Sequence, residues 1–460
     1  MVEMGVSVVS VLAVILVPWL WAALVRLVWR PHAVTRAFAR QGVRGPPYRF
    51  FLGNTGEARA MRAAASGATL DRSSHDVVPL MMPHLHAWTS RYGKVFLWWR
   101  GSTPVLSLGR HDMVKQVLAD RAGKYVKPVL TPALMAIMGA GLIMVEGDDW
   151  ARHRRVVGPA FAVDKVVQEW AEEVAAGCGA ATVEVGRWFR ELTADVISRT
   201  AFGSSYRRGK EYLPTRANVR RWQLERKVRA TLQGIVDERL AAAARESSQS
   251  PVGYGTDLLG LMLKANAAGQ GRRAVMTMDE IIDECKTFFF AGHETTAHLL
   301  TWSMFLLGTH PEWQRRLRDE VLRECGGAEE VPLHIHGDTF NLNKLKLVTM
   351  VLYETLRLYG PISTIERQAT ADVELCGVQF NPLRFQDGGG GGATAAHPGA
   401  LMLAFSAGPR SCVGQDMAML EAKATLALIL RRFTFEVSPG YVHAPAGLLA
   451  PQVHVVLKLL

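Results

Sequence analysis

Cys412 carries the strongest chemical signal in the sequence. It lies in the segment from Phe405 to Gly414, FSAGPRSCVG, whose two glycines and proline predict a tight loop before a helix that begins near Gln415. A sulfur so close to a helix N-terminus faces backbone N–H groups and the positive end of the helix dipole, which favour a thiolate. Phe405 can pack beside a flat cofactor, and Arg410 can neutralise a carboxylate on it. A lone cysteine in such a loop is more often a small buried residue than a ligand, so the prediction rests on the whole segment.

A second polar segment, Ala291 to Thr296 (AGHETT), interrupts a long apolar stretch. Glycine, a carboxylate and two threonines are poor choices for a helix interior. The hydroxyl of Thr295 is predicted to bond the carbonyl of Ala291 and to bend the helix, which would admit a small molecule such as dioxygen. The alternative is a polar patch facing water, which the flanking phenylalanines and leucines disfavour. Glu294 and Thr295 are therefore candidate functional residues, and His293 is interpreted as a bystander.

A third motif, Glu354 to Arg357, places a carboxylate and a guanidinium on one helical face. Such pairs are common on surfaces, where they contribute under about 1 kcal/mol. The apolar neighbours of this pair favour burial instead, and burial would require a further partner. Arg384 is the candidate.

The elements that must position these residues are mostly helical. Periodicity predicts helices from Met278 to Gly308, from Pro311 onward, from Lys344 to Tyr359 and from Gln415 to Phe433. Short strands are predicted at Val95–Trp99, Val105–Leu108, Val373–Phe380 and Val453–Leu459. The fold class is therefore mainly α with a minor β-sheet.

Composition indicates one large domain plus an anchor. The chain has 460 residues, 49% of them hydrophobic, and no long polar linker or internal repeat. Its five cysteines are scattered and form no CxxC pair, which favours a reducing compartment. The net charge of +11 favours acidic partners. The basic residues lack interleaved aromatics, so membrane lipid and protein partners are preferred and nucleic acid is not expected.

The N-terminus is predicted to be a membrane anchor. From Met4 to Val25 the chain has no charged residue, about the length that a helix needs to span a bilayer. Arginines follow this stretch, so the positive-inside rule places the large domain in the cytosol. A cleaved signal peptide is the rival interpretation. The predicted partition is an anchor at 1–30, a basic, proline-rich hinge at 31–50 and a catalytic domain at 51–460.

Together the motifs resemble one family, the cytochrome P-450 haem-thiolate monooxygenases. Five of its patterns occur in order: WxxxR at Trp150 and Arg154, AGx(D/E)T(T/S) at Ala291–Thr296, ExxR at Glu354–Arg357, PxRF at Pro382–Phe385, and FxxGxRxCxG at Phe405–Gly414. In detail the sequence is most similar to a plant microsomal clan of fatty-acid and hormone hydroxylases.

The resemblance implies the cytochrome P-450 fold with an N-terminal transmembrane helix, and it implies roles for the motif residues. Cys412 would be the axial ligand of heme b iron, and Glu294 with Thr295 would relay protons. The other residues expected at the cofactor are Trp150, Arg154, Ala291, Gly292, Phe405, Arg410 and Gly414. Glu354, Arg357 and Arg384 would be structural.

The implied activity is insertion of one oxygen atom from dioxygen into an apolar small molecule. A fatty acid or an isoprenoid or hormone such as a cytokinin, gibberellin or brassinosteroid is expected. Electrons would come from NADPH through an NADPH-cytochrome reductase. The implied location is the endoplasmic reticulum membrane, with a single-pass anchor.

The chain departs from the family pattern by being shorter. Only 58 positions separate Glu354 from Cys412, and Val378 to Pro382 passes straight from a strand into the PxRF element. The sequence is similarly shortened at residues 203–222, where the family has further helices, and residues 163–183 also look shortened. One alternative is therefore an inactive splice or gene-model variant that binds haem poorly or not at all. Another is a haem-thiolate isomerase that needs no reductase.

Overall fold

The structure, a computed structural model, describes residues 16–128, 135, 138–157, 182–185, 189–190, 193–194, 219–246, 254–255, 257–268, 275–325, 342–380, 392–396, 403–445 and 453–459. This part of the chain is mainly helical. Its helices are α1 (Arg30–Arg40), α2 (Thr55–Ala65), α3 (Val78–Met81), α4 (Pro83–Tyr92), α5 (His111–Leu118), α6 (Gly147–Val157), α7 (Val219–Glu246), α8 (Leu258–Ala268), α9 (Met278–Thr309), α10 (Pro311–Cys325), α11 (Lys346–Leu358) and α12 (Gln415–Arg432).

The strands form a minor component. They are β1 (Val95–Arg100), β2 (Thr103–Leu108), β3 (Tyr125–Val126), β4 (Thr182–Glu184), β5 (Thr364–Ala369), β6 (Val373–Leu375), β7 (Val378–Phe380), β8 (Gly392–Ala396), β9 (Phe433–Val437) and β10 (His454–Leu459). A five-stranded sheet has the order β1-β2-β8-β5-β3, in which only β2 and β8 run parallel. A three-stranded antiparallel sheet has the order β4-β10-β9, and β6 pairs with β7.

The long helices predicted in the second half are confirmed to within two residues at each end. The single strand predicted from Val373 to Phe380 is wrong. Cys376 and Gly377 have φ values of 47° and 86°, in the left-handed region that ends a strand, so the chain turns back and forms the hairpin of β6 and β7. A Cys-Gly pair is a weaker turn signal than Asn-Gly, which is why alternation alone misled the prediction.

Helix α9 is the central element of the larger hydrophobic core. It starts with a capping box, in which the Thr277 hydroxyl accepts from the Glu280 N–H and the Glu280 carboxylate accepts from the Thr277 N–H. Leu300 and Phe305 are fully buried, and α9 packs against α11, α12 and β9. A helix that is apolar on most of its faces is stable only when other elements surround it.

The N-terminal helix combines an exposed part with a buried part. Residues 16–24 are helical and continue through a π-helical turn, Val25–Trp29, into α1. Val34 and Phe38 of α1 are buried in a second core with side chains of β1 and β2, whereas Trp19 is exposed. Among the described residues, no helix meets both the length and the apolarity needed to cross a membrane. Residues 1–15 of the anchor predicted at 1–30 lie outside the described residues.

Candidate functional site

The loop around Cys412 is held by backbone contacts. A 3-10 turn at Gly408–Arg410 lets the Cys412 N–H donate to the carbonyl of Phe405 at 2.8 Å, and α12 begins three residues after the cysteine. Gly408 has a φ of 72°, and a Cβ atom there would lie 2.1 Å from the carbonyl oxygen of Leu118 at the end of α5. Only glycine therefore fits this close approach.

The pKa of the Cys412 thiol is raised, which corrects the expectation that the loop alone favours a thiolate. Burial of the thiol raises the pKa, although the N–H of Gly414 and the charge of Arg154 lower it. The residue nevertheless keeps an exposed surface. A coordinated metal ion would deprotonate such a thiol outright, so the donor chemistry fits a thiolate ligand that ionises on binding.

Four cationic side chains gather beside the cysteine loop. Arg410 donates to the carbonyl of Val145 at 2.8 Å and pairs with the carboxylate of Glu146. Arg154 donates to the carbonyl of Ser411 at 2.9 Å, directly next to the cysteine. Both guanidinium groups lie near the ring of Trp150, Arg410 at 4.4 Å and Arg154 at 5.9 Å from its centroid.

The sequence reasoning missed the other two cations, Lys127 and Arg367. Burial, together with the charges of Arg410 and Arg367, lowers the pKa of Lys127 to about 7. Burial, with the charge of Arg410, also lowers the pKa of Arg367. The depressed pKa values mean that little negative charge lies near these two cations. Among the described residues, Glu146 is the one carboxylate whose charge raises the pKa of Lys127 or of Arg367. A planar cofactor bearing two carboxylates, as heme b does, fits this cluster.

The polar segment of α9 forms an accessible window in a buried helix. The Thr295 hydroxyl donates to the carbonyl of Ala291 at 2.7 Å, as predicted, and the helix continues through the segment without a break. Ala291, Gly292, Glu294 and Thr295 are partly exposed, whereas the following turns are buried. The alternative of a fully water-facing patch does not hold.

His293, interpreted from the sequence as a bystander, contacts the neighbouring Glu294. Its Nδ1 atom lies 2.7 Å from the carbonyl oxygen of Phe289, and its Nε2 atom lies 3.3 Å from Oε1 of Glu294. The carbonyl of His293 accepts from Thr193 at 2.8 Å. The histidine therefore restrains the glutamate next to it.

Glu354 and Arg357 form the predicted pair, with two hydrogen bonds of 2.7 and 2.6 Å. The prediction of burial is wrong for the described residues, because the side chains are 52% and 41% exposed. The hydrogen bond from Arg357 lowers the pKa of Glu354. Arg384, the predicted third partner, lies outside the described residues.

Comparison with known proteins accounts for these motifs together. The family model for cytochrome P450 matches residues 78–222, 211–380 and 377–446. The consecutive matches overlap at residues 211–222 and 377–380, close to two of the departures from the family pattern, at 203–222 and 378–382. The model thus covers most of the chain, in three pieces.

Several plant proteins are similar over nearly their whole length. Cytochrome P450 709B3 of Arabidopsis thaliana is 37% identical over 510 residues, covering 96% of each chain. Cytochrome P450 734A6 of Oryza sativa subsp. japonica is 37% identical, covering 92% of this chain and 90% of the relative. Cytochrome P450 734A1 of Arabidopsis thaliana is 35% identical, covering 96% of this chain and 94% of the relative. The chain therefore belongs to the cytochrome P450 family of haem-thiolate monooxygenases.

Proposed function

We propose that this chain binds heme b through Cys412 and inserts one oxygen atom of dioxygen into an apolar small molecule. The observation that carries the proposal is the attachment of the cysteine loop to the cation cluster through Arg154 and Arg410. A cofactor that needs a thiolate on its metal and positive charge on its carboxylates would meet both in one place. When bound, heme activates dioxygen and the thiolate donates electron density to the iron.

The chain's own residues would hold this cofactor at its metal and at its carboxylates. Cys412 would ligate the metal, and Phe405 and Gly414 would shape the loop that carries it. The carboxylates would be held by Trp150, Arg154 and Arg410, and by Lys127 and Arg367 of the cluster. Ala291 and Gly292 are two adjacent small residues of α9, and they would allow a flat ring to approach the helix.

Glu294 and Thr295 of α9 would move protons. The Thr295 hydroxyl donates its own hydrogen to Ala291, so its oxygen is free to accept a hydrogen bond from water or substrate. Glu294 is 22% exposed and can take up a proton from solvent and pass it on. His293 would restrict the positions that this carboxylate can adopt.

We further propose an apolar substrate, a reductase partner and a membrane location. A fatty acid or an isoprenoid or hormone such as a cytokinin, gibberellin or brassinosteroid suits the apolar surroundings of the α9 window, where Phe289 and Phe290 are partly exposed. Electrons would come from NADPH through an NADPH-cytochrome reductase. Exposed Trp19, Leu20 and Trp21 support an anchor at residues 1–30 in the endoplasmic reticulum membrane, with 31–50 leading to the catalytic domain at 51–460.

A reduced, carbon-monoxide-treated difference spectrum of the purified chain tests the proposal. We expect the thiolate-type Soret band for the native sequence and for Cys376→Ser, which changes an exposed cysteine elsewhere. Cys412→Ala should abolish the band. Loss of haem from the native chain would favour the inactive shortened variant, and turnover without NADPH and reductase would favour the isomerase.

A further inference from the structure

Helix α6 contacts both halves of the candidate site. On one side, Arg154 donates to the carbonyl of Ser411 and ties the helix to the cysteine loop. On the other side, Arg152 and His153 contact α9, which carries the proposed proton relay. Helix α6 therefore links the cysteine loop to α9, in addition to the direct packing of α9 against α12.

The contact between α6 and α9 is centred on a fully buried pair. His153 and Glu284 both have side chains that are 0% exposed, and Nδ1 of the histidine lies 2.5 Å from Oε1 of the glutamate. Nε2 of the same ring lies 3.4 Å from Oε1 of Glu280. Both ring nitrogens face carboxylate oxygens, and only a protonated imidazole can donate from both.

The surrounding charges favour a protonated His153. Burial lowers its pKa, but the hydrogen bond and charge of Glu284, together with Glu280, outweigh burial and raise it. Glu280 is itself neutralised by Arg152, which donates two hydrogen bonds to it and lowers its pKa to about 2. Glu284 is thus the main counter-charge of the imidazolium. The nearby positive charge of Arg152 acts in the opposite direction and lowers the pKa of His153.

The same carboxylate reaches the segment that precedes α6. A Cβ atom on Gly141 would lie 2.7 Å from Oε2 of Glu284 and 2.3 Å from the hydroxyl of Thr287. The Thr287 hydroxyl donates to the carbonyl of Met138 at 2.6 Å. Glu284 is therefore enclosed on both sides and cannot leave His153 without moving this segment.

We propose that His153 and Glu284 are positioning residues whose buried ion pair fixes α6, and through Arg154 the cysteine loop, relative to α9. A buried ion pair is a weak source of stability but is directional and costly to break on one side. Such a pair is therefore suited to holding two helices in one relative position. The inference rests on the proposed function, because it assigns the pair a task in the assembly of that site.

The first test needs no haem. Haem-free protein is treated with iodoacetamide, and the alkylation rates of Cys412 and Cys376 are followed by peptide mass spectrometry. We expect Glu284→Gln and His153→Gln each to increase the rate at Cys412 at least threefold, with no change at Cys376. The double variant should match the single variants, because the second substitution has no pair left to break.

The matched control is Asp279→Asn on the first turn of α9. Asp279 also pairs with an arginine, Arg229, but its side chain is 77% exposed. Asp279→Asn should leave the alkylation rates of Cys412 and Cys376 unchanged. Native rates at Cys412 in Glu284→Gln, or fully additive effects in the double variant, would overturn the proposal.

The second test measures transfer of hemin from the loaded protein to apomyoglobin as a function of pH. In the native chain, transfer should accelerate as the pH rises through the raised pKa of His153, because the imidazolium loses its proton. Glu284→Gln lowers that pKa, so the acceleration should begin at least one pH unit lower. An unchanged pH dependence of hemin transfer in Glu284→Gln would contradict the proposal. A native chain that takes up no hemin would instead contradict the proposed function, and the alkylation test would then decide on the ion pair.

Discussion

Arg410 lies with its guanidinium carbon 4.4 Å from the centroid of the Trp150 ring, while its Nη1 atom donates to the carbonyl of Val145 at 2.8 Å. The indole face attracts the cation, and the hydrogen bond fixes its orientation. Glu146 binds the other end of the guanidinium. These three contacts fix the position of the Arg410 guanidinium in the cysteine loop.

Arg410→Lys should weaken hemin binding about tenfold, which corresponds to about 1.4 kcal/mol. Lysine keeps the charge but loses the planar stacking on Trp150 and the fixed fork of donors. Hemin transfer to apomyoglobin measures the effect. Arg100→Lys is the control, because Arg100 forms an exposed pair with Glu366 and should transfer hemin at the native rate.

Lys127→Met should have opposite effects on stability and on cofactor binding. The pKa of Lys127 is about 7 in the folded chain and about 10.4 in an unfolded one, so the unfolded chain binds more protons between these pH values. The free energy of unfolding should therefore rise from pH 7 toward pH 10 in the haem-free native protein. Lys127→Met should remove this rise and add on the order of 2 kcal/mol at pH 7, while weakening hemin binding.

Urea unfolding of the haem-free protein at pH 7 and pH 9, together with hemin titration, checks this prediction. Lys124→Met changes an exposed lysine three residues earlier and should alter neither quantity. A loss of stability in Lys127→Met at pH 7 would contradict this prediction, because it would show that the hydrogen bond from the ammonium of Lys127 to the carbonyl of Ile143 outweighs the cost of burying the charge.

Gly408→Ala should destabilise the cysteine loop far more than Gly123→Ala. The two glycines have nearly the same backbone angle, with φ of 72° and 71°, so both alanines carry the left-handed strain of about 1 to 2 kcal/mol. Only the new Cβ at position 408 would collide with the carbonyl of Leu118, because nothing lies within 4 Å at position 123. Thermal unfolding and hemin content should fall for Gly408→Ala, and equal losses in both variants would contradict the structural explanation.

Thr295→Ala should lower the yield of oxidised product per NADPH consumed about tenfold while leaving hemin content unchanged. The hydroxyl would be missing from the proton relay, but the helix would keep its backbone bonds. Thr309→Ala is matched, because Thr309 makes the same bond to the carbonyl four residues earlier at the end of α9. Native coupling in Thr295→Ala would remove this residue from the proposed relay.

The parts of the site that are local in sequence could be predicted from it. The cysteine loop and the Ala291–Thr296 segment each depend on a few adjacent residues, and their helices have strong periodicity. Even the bond from Thr295 to Ala291 follows from helix geometry, since both belong to one turn.

The missed cations depend on contacts between distant strands. In the antiparallel pairing of β3 with β5, Val126 lies opposite Gln368, so the next residue, Lys127, follows on toward Arg367. More than 200 positions separate the two residues in the sequence, and no local pattern connects them. The exposure of Glu354 and Arg357 was missed for the opposite reason, because apolar neighbours in a helix do not show which face is covered.

The pairing of β3 with β5 also links cofactor capture to the closure of the sheet. β3 is an edge strand of two residues, and the two cations beside this pairing repel each other at the place where the sheet has the fewest hydrogen bonds. A dianionic ligand that binds only the closed form would remove that repulsion and would stabilise closure in proportion to the logarithm of its free concentration. Hydrogen exchange at the amide of Val126, which lies opposite Gln368 of β5, would then report on occupancy of the site.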